Sequence, residues 1–464
     1  MSTVLCVDFG STYTKAALVD LDSGDLVATA SSPTTLPDAT GQGDVLDGYD
    51  ACVSALAQQD PRALEAEVVA CSSAGGGLRV AVVGNEELVT AEAGRRVALS
   101  SGGKVVLVLS GGLDDDKLAR LRAAAPDVVL LVGGTDGGNA EVLEGDAAFL
   151  SRVPWPGPVV VAGNVDSQPL VAELLAASGT PHVLADNVVP RIGVLAPDGA
   201  RRAIREIFLS HVIGGKHLSS RTDARGRSFT DMVQGATPDV VLTGVELLAR
   251  GLDDEHPGAG DVVVVDVGGA TTDVHSVVEL DPEDSGLARE VVATTPVTRT
   301  VEGDLGMRWS AVSTVEAAGR DDLADAAARR RRHPDYLPDS DAERDVDLHI
   351  AAAAVRIALE RHAGRSKVVV SPEGRVVERS GKDLREVDLL VGSGGVLRHG
   401  GCDAVRRVLE PATGDAFEGG WQLPRAPQVV VDRDYVLAAA GLLAEQHPVA
   451  AHRLVSRLVG AVGG

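Results

Sequence analysis

Two stretches of this chain repeat a carboxylate, a glycine and a set of hydroxyls in one register. The first reads Val7-Asp8-Phe9-Gly10-Ser11-Thr12-Tyr13-Thr14-Lys15 and the second Val265-Asp266-Val267-Gly268-Gly269-Ala270-Thr271-Thr272-Asp273. Asp8 falls on Asp266, Gly10 on Gly268 and Thr14 on Thr272. Small residues at such a tip let backbone N–H groups approach phosphate oxygens, and the hydroxyls of Ser11, Thr12, Thr271 and Thr272 add donors. One copy alone is an ordinary tight turn whose glycine supplies positive φ. Two copies, each preceded by four apolar residues that end at the aspartate, point to a duplicated phosphate site.

Asp8 and Asp266 cannot bind phosphate themselves, because like charges repel. Their expected role is to hold a hydrated Mg²⁺ and orient an attacking water, since Mg²⁺ keeps several waters and takes one or two carboxylates. Lys15 is placed to neutralise phosphate charge, although a solvated strand lysine is an equal alternative. A third element, the strand Val387 to Val391, runs into Gly392-Ser393-Gly394-Gly395-Val396-Leu397. Glycines there permit close approach to a base or ribose, and a helix starting at that point would favour phosphate. Taken singly, this last motif is unspecific.

The elements that must position these residues can be read from the hydrophobic pattern. Thr3 to Val7, Ala16 to Val19 and Leu26 to Ala30 read as antiparallel strands joined by tight turns. An amphipathic stretch, Val45 to Ala57, and a strand, Ala66 to Cys71, follow. From Arg79 to Leu195 short apolar runs alternate with helical stretches, which predicts an inserted parallel sheet covered on both faces. Its strands are expected at Val80 to Val83, Val105 to Leu109, Val128 to Val132, Val159 to Ala162 and His182 to Leu184, with helices at Asp114 to Ala125 and Ser167 to Ala177. The Gly-rich turns at Ser110 to Gly112, Gly133 to Gly138 and Gly163-Asn164 stand where doubly wound sheets bind ligands, but ordinary strand-to-helix turns look the same. Ala203 to Leu248 reads as largely helical. Asp321 to Asp345, with Arg329 to Arg332 among many acids, reads as a mobile surface loop. An Ala-rich helix, Leu348 to His362, a hairpin around Ser371 to Gly374 and helices after Tyr435 complete the chain. The fold expected is α/β. Its parts are 1–78, the inserted domain 79–200, a helical connector 201–260, a second hairpin-bearing domain 261–386 and a closing segment 387–464.

At 464 residues the chain exceeds a single core, and 44% hydrophobic with 24% charged residues is normal for a globular protein. The net charge of −24 repels a phosphate backbone, so nucleic acid is excluded as a partner. Cys6, Cys52, Cys71 and Cys402 show no metal-site spacing and read as reduced, buried thiols. No basic n-region precedes the first apolar run and no stretch approaches a membrane span. A soluble, cytoplasmic protein without a membrane partner is expected.

The ordered trio resembles the phosphate-one, phosphate-two and adenosine motifs of the actin, sugar-kinase and heat-shock-chaperone superfamily, which binds ATP without a P-loop; none is found here. Within it the chain is similar to the MutL/GlmL group, the accessory protein of adenosylcobalamin-dependent glutamate mutase. Besides the first hairpin, the segments that carry this likeness are Cys71-Ser72-Ser73-Ala74-Gly75-Gly76-Gly77-Leu78-Arg79, Leu131-Val132-Gly133-Gly134-Thr135-Asp136-Gly137-Gly138-Asn139 and Val301-Glu302-Gly303-Asp304-Leu305-Gly306-Met307-Arg308.

The resemblance implies an actin-like ATPase of duplicated ribonuclease H-like domains, with ATP and Mg²⁺ as cofactors and subunits of an adenosylcobalamin-dependent mutase as partner. It assigns phosphate contacts to Gly10, Ser11, Thr12, Gly268, Gly269 and Thr271, metal or water positioning to Asp8 and Asp266, and adenosine contacts to Gly392, Gly394 and Gly395. Thr272 and Lys15 complete the expected nucleotide site. The implied function is ATP-driven reactivation of the mutase by exchange of damaged cobalamin. A metabolite kinase is the alternative, with Asp136 or Asp166 as base. A filament-forming ATPase is a third reading, which the negative charge disfavours.

Overall fold

The computed structural model describes residues 2–38, 42–153, 155–279, 295–371, 374–414 and 420–460. The chain divides into two compact units. Met1–Thr243 with Ala438–Ala450 forms the first, and Gly244–Glu290, Thr294–Leu437 and Ala451–Gly464 belong to the second.

The first unit begins with β1 (Thr3–Phe9), β2 (Tyr13–Asp20), β3 (Leu26–Pro33), the helix Val45–Gln59 and β4 (Glu67–Ser72). The inserted domain follows with β5 (Leu78–Gly84), β6 (Gly103–Ser110), β7 (Val128–Leu131), β8 (Val159–Val161) and β9 (His182–Leu184). After it, β10 (Val233–Ala236) returns to the first sheet, whose order is β10-β4-β1-β2-β3. β1, β2 and β3 are antiparallel neighbours, while β4 and β10 run parallel to β1.

In the second unit β11 (Gly251–Asp253) and β12 (His256–Pro257) form a short hairpin, ahead of β13 (Val262–Val267), β14 (Thr272–Val277) and β15 (Val297–Glu302). A second hairpin, β16 (Arg365–Ser371) with β17 (Gly374–Ser380), precedes β18 (Leu389–Ser393) and β19 (Gln428–Val431); its turn, 372–373, lies outside the described residues. The main sheet has the order β15-β14-β13-β18-β19. Here too three strands are antiparallel and two parallel, so β13 repeats β1 and β18 repeats β4. This matched strand order makes the two main sheets repeats of one plan, the duplication that the two hairpins led us to expect.

The inserted sheet is wholly parallel, in the order β6-β5-β7-β8-β9. Its strands are apolar on both faces because both are covered. Alternate residues serve different cores: Val80, Val82 and Leu130 join the cluster that contains Leu5 and Phe9 of β1, while Ala81, Val83 and Leu131 pack with Leu118 and Leu143 on the other face.

Under the second main sheet lies the helix Asp341–His362. Ser340 caps it by accepting from the Glu343 N–H, acids occupy its first turn and Arg361 its last, each matching the helix dipole. Ile350, Ala354 and Val355 of this helix share a core with Val263 and Val265 of β13.

Three expectations are corrected. The stretch 203–248 is not helical throughout: Val233-Gln234-Gly235-Ala236 is β10, a strand that pairing with Ala70 and Cys71 of β4 imposes on a segment with no strand pattern of its own. The expected connector 201–260 therefore supplies the fifth strand of the first sheet. The charged run is not a loop. Ala324–Arg332 is a helix, and Arg330 within it is 0% exposed. All four cysteines are free thiols, but Cys402 is exposed rather than buried.

Candidate functional site

At the first hairpin the register sets Asp8 directly opposite Lys15 on β2 and Cys71 on β4. The Lys15 ammonium lies 3.6 Å from Asp8 Oδ2. Lys15 thus neutralises Asp8 in this structure. Asp8 Oδ1 accepts from the Thr237 hydroxyl at 2.6 Å and from the Cys71 thiol at 3.7 Å. Burial, reinforced by the Asp8 charge, pushes the Cys71 thiol well above its usual range. It stays protonated and can donate.

The tip is closed by the Gly10 N–H, which donates to the Tyr13 carbonyl at 3.2 Å. A Cβ on Gly10 would stand 2.5 Å from that carbonyl oxygen, so the turn requires glycine. Thr34 anchors the back of the tip: its hydroxyl donates to Gly10 O at 2.9 Å and its N–H to Thr12 O at 2.9 Å. In a trans peptide the carbonyl and the following N–H point in opposite directions, and no peptide among the described residues is cis. The N–H groups of Ser11 and Tyr13 therefore face away from Thr34. Ser11 and Thr12 are exposed, while Thr14 is fully buried with its hydroxyl 3.1 Å from that of Thr34.

The second tip is built on the same plan with different parts. Gly268 N–H donates to Thr271 O at 2.9 Å. The carbonyls of Gly268 and Gly269 accept from the N–H groups of Met307 and Arg308 at 3.0 and 2.8 Å, and Ala270 O accepts from the Ser310 hydroxyl at 2.6 Å. With three successive carbonyls held on one side, the N–H groups of Gly269, Ala270 and Thr271 turn to the other. Such a row of outward amides is an anion-binding concavity.

Opposite Asp266 stands Asp273, and beside it on β18 stands Ser393. Arg299, 5% exposed, donates to Asp273 at 2.6 Å, and the Thr271 hydroxyl donates to the same carboxylate at 3.1 Å. Thr272, expected among the phosphate donors, is fully buried and donates its hydroxyl to Leu305 O at 3.2 Å. That hydroxyl holds the hairpin to the 303–310 segment and does not face outward.

The Gly-rich turn after β18 adjoins this hairpin. Gly394 has φ +106°, and a side chain there would collide with the Val267 carbonyl of β13. Gly392 packs under Leu397 and Leu409, whereas Gly395 faces open space. The helix that follows, Gly395–His399, is interrupted at Gly400, and Gly401–Ala404 is helical again. Asp432 supports this turn from β19: its N–H donates to Gly392 O at 2.9 Å, and its carboxylate accepts from Val436 and Leu437 N–H at 2.9 and 3.2 Å. Burial raises its pKa to about 6.

Sequence reasoning missed Thr237, Arg299 and Asp432. Thr237-Pro238-Asp239 carries the signature of a helix start, which was the available clue. Asp304, within the 301–308 segment, pairs with Arg361 at 2.7 Å, and that hydrogen bond lowers its pKa. In the inserted domain Asp136 accepts from Asn187 at 2.8 Å and from Val165 N–H at 3.2 Å, and Asp166 accepts from Gly137 N–H at 2.9 Å. These carboxylates knit neighbouring loops together. Among the described residues no group of three or more His, Cys, Asp or Glu side chains is placed to hold a metal ion. Nor does any described helix have the length and apolarity to cross a membrane.

Comparison with known proteins follows from this geometry. The family model described as "MutL protein" matches residues 4–459. Protein MutL of Clostridium tetanomorphum is 35% identical over 474 residues, covering 98% of this chain and 99% of that protein. Among solved structures, nucleotide-free acetone carboxylase is similar with a TM-score of 0.41 and 15% identity over 96% of this chain and 70% of its own. Xylulose kinase from Rhodospirillum rubrum gives 0.28 and 14%, over 98% and 92%.

Proposed function

The chain belongs to the MutL protein family, and from that premise we propose that it binds Mg²⁺-ATP through its two hairpin tips and uses it to act on a partner enzyme. The observation that supports this most is the shared construction of the tips. In each, carbonyls are tied back, amides face outward and an aspartate stands at the base. Outward amides suit the oxygens of a phosphate chain, and the turns leave no room for a side chain: a Cβ on Gly268 would meet Thr271 O at 2.9 Å. A carboxylate near such donors suits a hydrated divalent cation.

Asp8 and Asp266 would hold the Mg²⁺ through water, and the bound ion supplies neutralisation of phosphate charge. The protein's own part is to orient. The amides of Ser11, Gly269, Ala270 and Thr271 donate to phosphate oxygens, and Gly395, which faces open space, admits the adenosine on a turn that Gly392 and Gly394 let form. Asp8 is itself fixed by Thr237 and Cys71, so an attacking water would be aligned by a carboxylate with one settled oxygen.

The partner proposed is an adenosylcobalamin-dependent mutase of the glutamate-mutase type, reactivated as ATP and ADP favour different conformations of this chain; only such differential affinity can shift a population. The metabolite-kinase alternative calls for a base at the strand ends of the inserted domain. Asp136 and Asp166 are the candidates there, and both are engaged by loop groups, which favours the reactivase.

ATP turnover and mutase recovery test the reading together. Asp8→Ala and Asp266→Ala should lose Mg²⁺-dependent ATP turnover by a hundred-fold or more while keeping the wild-type circular-dichroism spectrum, and neither should restore inactivated mutase. Unchanged turnover in either variant would falsify the role given to that aspartate.

A further inference from the structure

The second tip owes its geometry to the segment 303–310, and that segment is itself held by charge. Gly306 approaches the tip so closely that a Cβ there would stand 2.8 Å from Gly269 O. Arg308 then joins two things. Its N–H holds Gly269 O at 2.8 Å, and its guanidinium reaches Asp347 on the helix Asp341–His362 at 3.0 Å. The other oxygen of Asp347 accepts from Arg330 at 2.6 Å, and Arg330 also donates to the Glu343 carboxylate at 3.0 Å.

Arg330 is 0% exposed and Asp347 is 4% exposed. A buried ion pair of this kind is a poor source of stability, because desolvation offsets most of the Coulombic gain; its best-attested use is to fix one arrangement against others. The pair Arg330–Asp347 would be satisfied without Arg308. The second oxygen of Asp347 is thus available to take hold of the tip.

Resting on the nucleotide reading above, we propose that Arg308 and Asp347 are positioning residues. The chain Arg330–Asp347–Arg308 sets the direction of the Gly268 and Gly269 carbonyls, and so aims the Gly269 and Ala270 amides at a bound phosphate. Arg308 need not touch the nucleotide to do this. Its fork binds Asp347 through one nitrogen at 3.0 Å and a second at 3.4 Å, a geometry lysine cannot copy.

Two measurements separate this inference from the nucleotide reading. Amide hydrogen exchange of the protein without nucleotide judges the brace alone. In Arg308→Ala and Asp347→Asn the protection of the Met307 and Arg308-position amides should fall at least ten-fold, and unchanged protection in both would overturn the brace. Calorimetric titration with Mg²⁺-ATP judges its purpose. Arg308→Ala should bind ATP ten-fold or more weakly, Arg308→Lys should recover part of that loss, and the double variant Arg308→Ala/Asp347→Asn should be no weaker than Arg308→Ala. If exchange rises while ATP affinity holds, the positioning role is wrong although the brace exists. If the wild type binds no ATP, the nucleotide reading falls, with the exchange result still deciding whether the brace exists.

Discussion

Thr237 donates to Asp8 across 2.6 Å, joining residues 229 positions apart in the chain. The bond carries the first residue of a helix to the base of a hairpin, and it settles Oδ1 of Asp8 while Oδ2 faces the Lys15 ammonium. Thr237→Val removes the donor and keeps the shape. ATP turnover should fall about ten- to hundred-fold, in line with the roughly 1.5–3 kcal/mol of a hydrogen bond to a charged group. Thr237→Ser should restore it; a Ser variant no better than Val would place the effect in packing.

Gly394→Ala should destabilise the second unit. The residue stands at φ +106° with its missing side chain against the Val267 carbonyl, so both strain and a backbone collision oppose alanine. About 2–4 kcal/mol is expected from these terms, read as a shift in the urea midpoint. A shift below about 0.5 kcal/mol would show that the turn relaxes freely.

Arg330→Ala leaves Asp347 and Glu343 buried without their cation. Loss of one partner of a buried pair costs about 3–5 kcal/mol. Arg330→Met, which fills similar volume, still leaves Asp347 with Arg308 and should be milder when paired with Asp347→Leu. Equal stability of Arg330→Ala and the wild type would remove this network from any account of the fold.

Two buried acids predict the pH response. Burial raises both Asp146 and Asp432 to about 6, above the ordinary aspartate value near 3.9. For a carboxylate raised on folding, the folded state holds its proton more tightly. The stabilisation is complete below about pH 4 and is lost as the pH climbs to about 6, with a ceiling of about 3 kcal/mol for each group. The stability of Asp432→Asn relative to wild type should therefore improve across that window and stay level above it. A pH-independent difference between the two would mean that Asp432 titrates as if exposed.

ATP itself should protect the fold. With free ligand at 100 times its dissociation constant, linkage gives about 2.7 kcal/mol, visible as a rise in melting temperature that disappears when Mg²⁺ is chelated.

The hairpins, the Gly-rich turn and the alternation of the inserted domain were legible because each follows from local pattern: an apolar run, a glycine where backbone must approach backbone, and strands and helices of alternating period. The residues that complete the site were not. Val233 to Ala236 has no strand signal of its own and becomes β10 through pairing with β4. Arg330 sits in a run of four arginines that reads as solvated, yet Arg329, Arg331 and Arg332 are exposed while Arg330 is fully buried. The partnership of Thr237 with Asp8 spans the whole inserted domain, a distance over which spacing says nothing. The asymmetry of the tips was present in the aligned motifs as Lys15 against Asp273, but its meaning needed Arg299, which β15 brings to Asp273.

One face of the inserted sheet shares its hydrophobic cluster with β1. Excising residues 79–200 would remove Val80, Val82 and Leu130 from the cluster that also holds Leu5 and Phe9, so the insertion is no detachable accessory. It should melt together with the first hairpin in a single transition, and a limited proteolytic digest should not release it as a stable fragment.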